Sequence, residues 1–208
     1  AAVNVGPITV KRNSYPLYLQ DYTLWASPVA NQNLRNFSPN TLYNRFYSYD
    51  TTIGTNGNWV QEIVTTADMN TKTFGLAKGY LIRMPNNWTA FSDPQIPGTV
   101  YPGVFVGVPN SGTITYTLSN ANTGYNLVGN PYPSPISVAS FRAANPGIGG
   151  TFYFYRKRNA AQGSGYGTLS QAGFAGNVTV PNFDLIEVGQ GFFVKANGVS
   201  TLNFTNAM

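Results

Sequence analysis

The alternation of apolar and polar residues predicts β-strands along the whole chain. In residues 113–118 apolar side chains alternate with threonines, and residues 201–205 repeat this alternation. Successive side chains of a strand point to opposite faces, so each of these segments is predicted to bury one face. In residues 152–155 the same rule places two phenylalanines on one face and two tyrosines on the other.

The pattern also occurs twice. The frame of residues 22–29 (aromatic, polar, Leu, apolar, small, polar, Pro) returns at residues 125–132. Three further segments recur in the same order, namely residues 45–49 as 151–155, 78–83 as 190–195, and 113–117 as 201–205. Self-similarity in a fixed order indicates a duplicated unit. The sequence therefore predicts an all-β, β-sandwich-like fold built from two homologous halves.

The domain organisation follows from these repeats. We expect residues 1–20 to form an N-terminal strand or linker, residues 21–120 to form the first β repeat, and residues 121–208 to form the second. The two repeats could pack as one compact unit or as two abutting units.

One short helix and two loops interrupt the strand pattern. Residues 134–144 favour a helix of one or two turns, because Ser134 can cap its start and proline fits the first turn. Residues 86–102 and 162–167 are predicted to be excursions between strands. These loops differ between the copies, so specific function could lie in them.

Composition narrows the class of protein. Only 9% of the residues are charged and 14% are aromatic, whereas about 25% charged residues is usual. Uncharged polar residues must cover the surface, which is typical of an extracellular β protein. The net charge of +5 reflects few acidic residues, 7 in all, and no long basic run, so nucleic-acid binding is not expected.

The residue types that are missing exclude several chemistries. The chain has no Cys and no His, which excludes disulfides, zinc–thiolate sites and thiol catalysis. The sequence contains no apolar stretch of about 18 residues, so no membrane span is predicted. The first residues lack the features of a signal peptide. The chain does not begin with Met, so we expect a mature or excised piece of a longer protein.

Segments spread over nearly the whole chain carry a family pattern: residues 24–29, 79–83, 85–88, 124–136, 188–196 and 204–208. They resemble the β-rich module that precedes the C-terminal sorting domain in large surface proteins of Bacteroidetes exported by the type IX secretion system. The resemblance implies an extracellular or outer-surface location and neighbouring domains of a larger polypeptide as partners. It also implies a non-catalytic role in an adhesin-like protein, and it brings no catalytic residues.

Catalysis would have to use carboxylates, because the usual base and thiol are absent. Only Asp184 and Glu187 lie close together in sequence, and a glycosidase needs two carboxyls about 5 to 9.5 Å apart. Residues three apart near the start of a strand point to opposite faces, so we interpret them as a loop charge and an edge charge. No short segment gathers the oxygen ligands of a calcium loop, although calcium held by backbone oxygens stays open. We expect no enzyme, no metal site and no cofactor.

Aromatic and basic side chains are the remaining candidates for ligand binding. Sugar rings present apolar C–H faces that stack on aromatic rings, while Asn, Gln and Arg read their hydroxyls. The candidate residues are Trp59, Trp88, Tyr153, Tyr155, Arg156 and Arg158. The tyrosine face of residues 152–155 has three interpretations: a binding strip, a packing surface against the other copy, or a contact with a neighbouring domain.

The expected function is a non-catalytic structural or adhesive module of a secreted, cell-surface bacterial protein. A carbohydrate-binding module is one alternative and would show exposed aromatics in a coplanar row. A subunit of a self-assembling fibre is another and would show unpaired edge strands or a donated terminal strand, for which residues 1–15 are suited. Surface glycans and self-association are thus open as partners, whereas nucleic acid and direct membrane insertion are not expected.

Overall fold

The computed structural model describes residues 4–93, 95–157, 165–170, 173–175 and 184–208. The strands of the first half are β1 (Ile8–Leu17), β2 (Tyr22–Trp25), β3 (Phe46–Asp50), β4 (Asn58–Gln61), β5 (Tyr80–Arg83) and β6 (Thr99–Gly107). Between them lie the helices α1 (Leu34–Phe37) and α2 (Thr66–Thr71) and a 3₁₀ turn at Tyr43–Arg45. The elements of the second half are β7 (Ile114–Thr117), β8 (Tyr125–Gly129), β9 (Ile136–Ser137), α3 (Val138–Ala144), β10 (Phe152–Lys157), β11 (Gly165–Ser170), β12 (Gly173–Ala175), β13 (Leu185–Ile186), β14 (Gly191–Lys195) and β15 (Thr201–Phe204).

Both halves use the same strand order. In the first half β2, β5, β3 and β4 are hydrogen-bonded neighbours in that order, and in the second half the equivalent strands are β8, β14, β10 and β11. These strands and β12 form one nine-stranded sheet. The first and last strands of each half form a separate antiparallel pair, β1 with β6 and β7 with β15. The predicted fold class, all-β and sandwich-like with two homologous halves, is confirmed.

The strand register is also shared between the halves. Leu24 lies opposite Leu81 in the first half, and the matching residues of the second half, Leu127 and Phe193, lie opposite one another as well. Because a register shift of one residue would turn every side chain to the other face, the two halves bury equivalent positions.

Equivalent backbone hydrogen bonds join the two halves. The amide of Ala26 donates to the carbonyl of Gly189 at 2.9 Å, and the amide of Gly129 donates to the carbonyl of Ala77 at 3.0 Å. The acceptor residues also share a left-handed backbone, with φ of 64° at Gly189 and 56° at Ala77. An approximate twofold axis therefore relates the halves, and each half completes the backbone pairing of the other.

Strand β7 departs from the predicted organisation. The sequence places residues 113–117 at the end of the first half as the counterpart of residues 201–205, whereas the structure pairs these two segments with each other. Ile114 also lies in the same buried cluster as Phe204. The counterpart of β7 in the first half is β1, which pairs with β6 in the same way as β7 pairs with β15. Whether the chain divides near residue 120 into units that fold separately stays a prediction.

Each half has its own apolar core between its outer strand pair and the central sheet. In the first half Phe37 of α1 stacks on Phe105 of β6 at 4.6 Å between ring centroids, beside the fully buried Trp25. In the second half Phe141 of α3 packs on Phe204 of β15 at 5.1 Å. The helices thus occupy equivalent places and close the same end of each core.

The local predictions hold in part. The predicted helix at residues 134–144 is present as α3, but it is capped by Ser137, which accepts from the amide of Ser140. The predicted excursions are shorter than expected, because residues 99–102 belong to β6 and residues 165–167 belong to β11. Residues 162–164 lie outside the described residues.

The central sheet is strongly curled. Trp59 on β4 and Tyr155 on β10 have ring centroids 6.3 Å apart, although β3, β5 and β2 lie between their strands in the pairing order. A flat sheet would separate these strands by roughly 19 Å, since neighbouring strands lie about 4.8 Å apart. The loop after β3 also bonds to β8, because the Thr51 hydroxyl donates to the carbonyl of Tyr125. The sheet therefore bends round until both halves share one concave interior.

The two halves approach each other closely at Ala26 and Gly129, which occupy equivalent positions in the repeated frame. Ala26 is fully buried, and a Cβ added at Gly129 would overlap the Ala26 methyl group. Equivalent positions that face one another near a twofold axis cannot both carry a β-carbon at this separation. One copy of the frame therefore needs glycine here.

We predict that Gly129→Ala lowers the free energy of unfolding by about 2 kcal/mol, because overpacking a closed core has a cost of this size. Urea unfolding monitored by tryptophan fluorescence measures the change. Gly150→Ala is the matched control, since no atom lies within 4 Å of a Cβ added there. The exchange Ala26→Gly with Gly129→Ala should recover stability, and a double variant as unstable as Gly129→Ala would show that another contact is responsible.

Candidate binding site

Strand alternation builds one aromatic surface from both halves. On β3, Phe46 and Ser48 are buried on the side of the first core, and the tyrosines between and after them point into the concave interior. On β10, Phe152 and Phe154 are buried in the second core and the tyrosines point to the opposite side. We define the aromatic cluster as Tyr22, Tyr47, Tyr49, Trp59, Tyr125, Tyr153, Tyr155 and Tyr166.

Rings of the two halves contact one another in this cluster. Tyr49 of the first half meets Phe193 of the second edge to face at 5.0 Å, and Trp59 lies 5.9 Å from the same ring. Tyr155 lies 4.8 Å from Tyr166 in a tilted arrangement. Tyr155 of the tyrosine face also contacts the first half, since its ring centroid lies 6.3 Å from that of Trp59.

The cluster has a buried base and an accessible rim. Its base is formed by Leu24, Leu81, Leu127 and Phe193, each of which is at most 6% exposed. The rings above are half-buried, and Tyr166 is 46% exposed. Packing therefore holds the rings in fixed positions, while their outer edges can still contact a ligand.

The sequence-predicted site residues divide into three groups. Trp59, Tyr153 and Tyr155 come together in the aromatic cluster. Trp88 lies elsewhere, because its ring packs on Tyr101 at 5.8 Å on the side of the first core. Arg156 is a strand residue of β10 whose backbone pairs with β2 and β11, and Arg158 lies outside the described residues. Their predicted role in ligand binding stays a prediction.

Sequence reasoning missed several rings of the cluster. Tyr22 and Tyr125 open the two copies of the repeated frame, and Tyr47 and Tyr49 lie on β3. The signal was the repeat itself, because Tyr47 and Tyr49 are the counterparts of the candidates Tyr153 and Tyr155. Treating the candidates as one half of a symmetric set would have found their partners.

Two arginines lie at one end of the cluster. Arg83 is opposite Tyr22 in the register of β2 and β5. Arg45 immediately precedes β3. In the antiparallel pair of β3 and β5, Phe46 lies opposite Ile82, so extending the register by one residue places Arg45 opposite Arg83. The row across these strands therefore runs from Tyr22 through Arg83 to Arg45.

These arginines have few partners among the described residues. One guanidinium nitrogen of Arg83, Nη2, donates to the side-chain oxygen of Asn86 at 2.9 Å, while its Nε is buried without a hydrogen bond. Arg45 donates to the hydroxyl of Tyr47 at 3.3 Å. Burial lowers the pKa of Arg83, and the bond to Tyr47 raises the pKa of Arg45. No carboxylate of the described residues is within ion-pair distance of either side chain.

Several carboxylates have structural roles. Asp21 is buried and accepts a hydrogen bond from the amide of Tyr18 at 2.9 Å, and Asp68 completes the capping box of α2. Glu62 forms an ion pair with Lys78 at 2.9 Å. The described part of the chain contains no group of three or more acidic residues that could hold a metal ion.

The described part of the chain also contains no helix long and apolar enough to cross a bilayer.

Comparison with known proteins identifies a family without an assigned activity. The family model described as "Domain of unknown function (DUF8693)" matches residues 1–208. No curated protein and no solved structure matches the chain. The function has to be inferred from the residues of this chain.

The tyrosines of the cluster predict a loss of stability at alkaline pH. The hydrogen bond with the Tyr125 hydroxyl, followed by burial, raises the pKa of Tyr153 to about 12, and burial raises the pKa of Tyr166 to about 12. In the unfolded chain tyrosine has a pKa of about 10. The stabilisation is therefore complete below about pH 10 and is lost as the pH rises through about 12.

Urea unfolding at increasing pH, together with tyrosinate absorbance, measures this loss. The free energy of unfolding of Tyr153→Phe should fall less steeply between about pH 10 and about pH 12 than that of the wild type. Equal slopes would mean that Tyr153 does not carry the effect.

Proposed function

Because the chain belongs to the family described as the domain of unknown function DUF8693, we propose its function from its own structure: it is a non-catalytic structural and adhesive module of a secreted, cell-surface bacterial protein. The observation that carries this proposal is the aromatic cluster, in which both halves of a duplicated scaffold hold a partly exposed set of rings. Exposed aromatic groups on a rigid support are the groups that contribute most to binding at interfaces.

The scaffold is suited to a structural role. Its halves complete each other's backbone hydrogen bonds and share one concave interior. Few charges are present, and stability comes from the packing of aromatic and aliphatic side chains rather than from disulfides. Such a unit can separate and orient neighbouring domains of a larger polypeptide while it presents a binding surface.

A role outside the cell is supported by the resemblance to modules of type IX-exported surface proteins and by the largely uncharged polar composition. A non-catalytic role is supported by the arrangement of the carboxylates. Asp21, Glu62 and Asp68 are engaged in local structural contacts. Histidine, the most frequent general base, and cysteine, the thiol nucleophile, are both missing from the sequence.

Carbohydrate binding is the more specific form of this proposal. The rings of Trp59, Tyr155 and Tyr166 are neighbours and are tilted rather than coplanar, with planes inclined by 35° between the first two and by 40° between the last two. Their accessible edges are the ring surface that a sugar could contact. The fibre hypothesis gains no comparable support from the N-terminal strand, because β1 is paired within its own chain.

Binding to a panel of neutral and acidic polysaccharides and extracellular matrix proteins tests the proposal. We expect saturable binding to at least one member of the panel. Trp59→Ala should weaken it roughly tenfold or more, because truncated aromatic anchors cause losses of this size. Trp88→Ala is the matched control, since this indole lies outside the cluster.

Thermal melting of both variants confirms that each is folded under the binding conditions. A panel without any bound member would contradict an adhesive role. Equal losses in the two variants, or full binding by Trp59→Ala, would contradict the assignment of the surface.

A further inference from the structure

Arg45 and Arg83 form a pair of like charges within the concave interior. They lie opposite each other across neighbouring chain segments, because the register that pairs Phe46 with Ile82 places Arg45 opposite Arg83. Like charges directly across two strands destabilise a sheet. The electrostatic interaction between them is also unfavourable, since Arg45 acts to lower the pKa of Arg83. A negative charge bound between the two arginines would offset this repulsion.

Arg83 is poorly compensated where it lies. Its side chain is only 9% exposed, and its Nε–H donor is buried without a partner. A buried donor of a charged group that lacks an acceptor is costly, and a buried cation is normally paired with a carboxylate. Among the described residues no carboxylate fills this role, so the site lacks one anionic acceptor.

The repeat shows that the fold does not require two arginines here. In the second half the matching positions are Thr151 and Lys195, and Lys195 is exposed with its ammonium group 5.7 Å from the centre of the Tyr125 ring. The tyrosines of this row, Tyr22 and Tyr125, are the same in both halves. The first half thus differs from the second at both positions. It has an additional cation, Arg45 in place of Thr151, and it has the guanidinium of Arg83 in place of the ammonium group of Lys195.

We propose that Arg45 and Arg83, flanked by the rings of Tyr22 and Tyr47, bind the carboxylate of an acidic sugar in a polysaccharide. This inference rests on the proposed adhesive function and names the ligand class of its surface. A guanidinium presents parallel N–H donors that match a carboxylate, which an ammonium group cannot do.

The surroundings favour a sugar over an acidic peptide. The ring centroids of Tyr22 and Tyr47 lie 6.1 Å apart and both residues are half-buried, so they offer ring surface on which a sugar can stack. Strands β2, β5 and β3 are paired on both sides, which leaves no open edge for an added peptide strand.

Titration calorimetry with a galacturonate trisaccharide tests the inference, with the carboxyl-reduced galactose trisaccharide as the neutral comparison. We expect the acidic sugar to bind at least about tenfold more tightly, because hydrogen bonds to charged groups contribute enough for such a factor. Arg45→Gln should remove this preference by lowering the affinity for the acidic trisaccharide to about that for the neutral one. Lys11→Gln is the matched control, since it removes one positive charge from an exposed position on the outer strand β1.

Two further probes separate the sources of negative charge. Hexaglutamate stands for an acidic peptide and inorganic sulfate for a free anion, and both should bind far more weakly than the trisaccharide. The inference is overturned if either probe binds as tightly, if the neutral and acidic sugars bind equally, or if Lys11→Gln loses as much affinity as Arg45→Gln. Binding to any panel member that depends on Trp59 but not on Arg45 would leave the adhesive function standing and remove only the anion site.

Discussion

The van der Waals contact between Ala26 and Gly129 is the constraint on which the rest of the structure depends. At this point the two copies of the repeated frame approach so closely that only one of them can carry a β-carbon. The approach lets Ala26 and Gly129 donate their amides to the opposite half. This contact therefore sets the distance between the two halves where their backbones are hydrogen-bonded. The curl of the central sheet follows from that short distance.

The curl converts a repeated strand pattern into a shared interior. On a flat sheet the aromatic side chains of β4 and β10 would lie too far apart to touch, whereas here Trp59 reaches Tyr155 and Phe193. The rings are therefore supported from both halves and have little freedom to move. Side chains held in this way lose less conformational entropy when a ligand binds than independent side chains would.

Duplication also makes departures from symmetry informative. The tyrosines of the interior are shared by both copies because each copy needs the same packing. Arg45 and Arg83 are not shared, since the second half is built with Thr151 and Lys195 at those positions. In a repeated scaffold a departure of this kind suggests a role specific to one half, and it is one reason why we propose the arginine pair as a binding site.

The sequence by itself determined the strand content, the duplication and the division of residues 152–155 into a phenylalanine face and a tyrosine face, because these features follow from local alternation and from self-comparison. It did not determine that β7 pairs with β15, that Trp88 lies apart from Trp59, or that Tyr22 and Tyr47 meet Arg83. Alternation states which face of a strand is buried but not which strand lies beside it. That choice depends on contacts between residues far apart in the chain, and only the tertiary structure decided it through the close packing of the two halves.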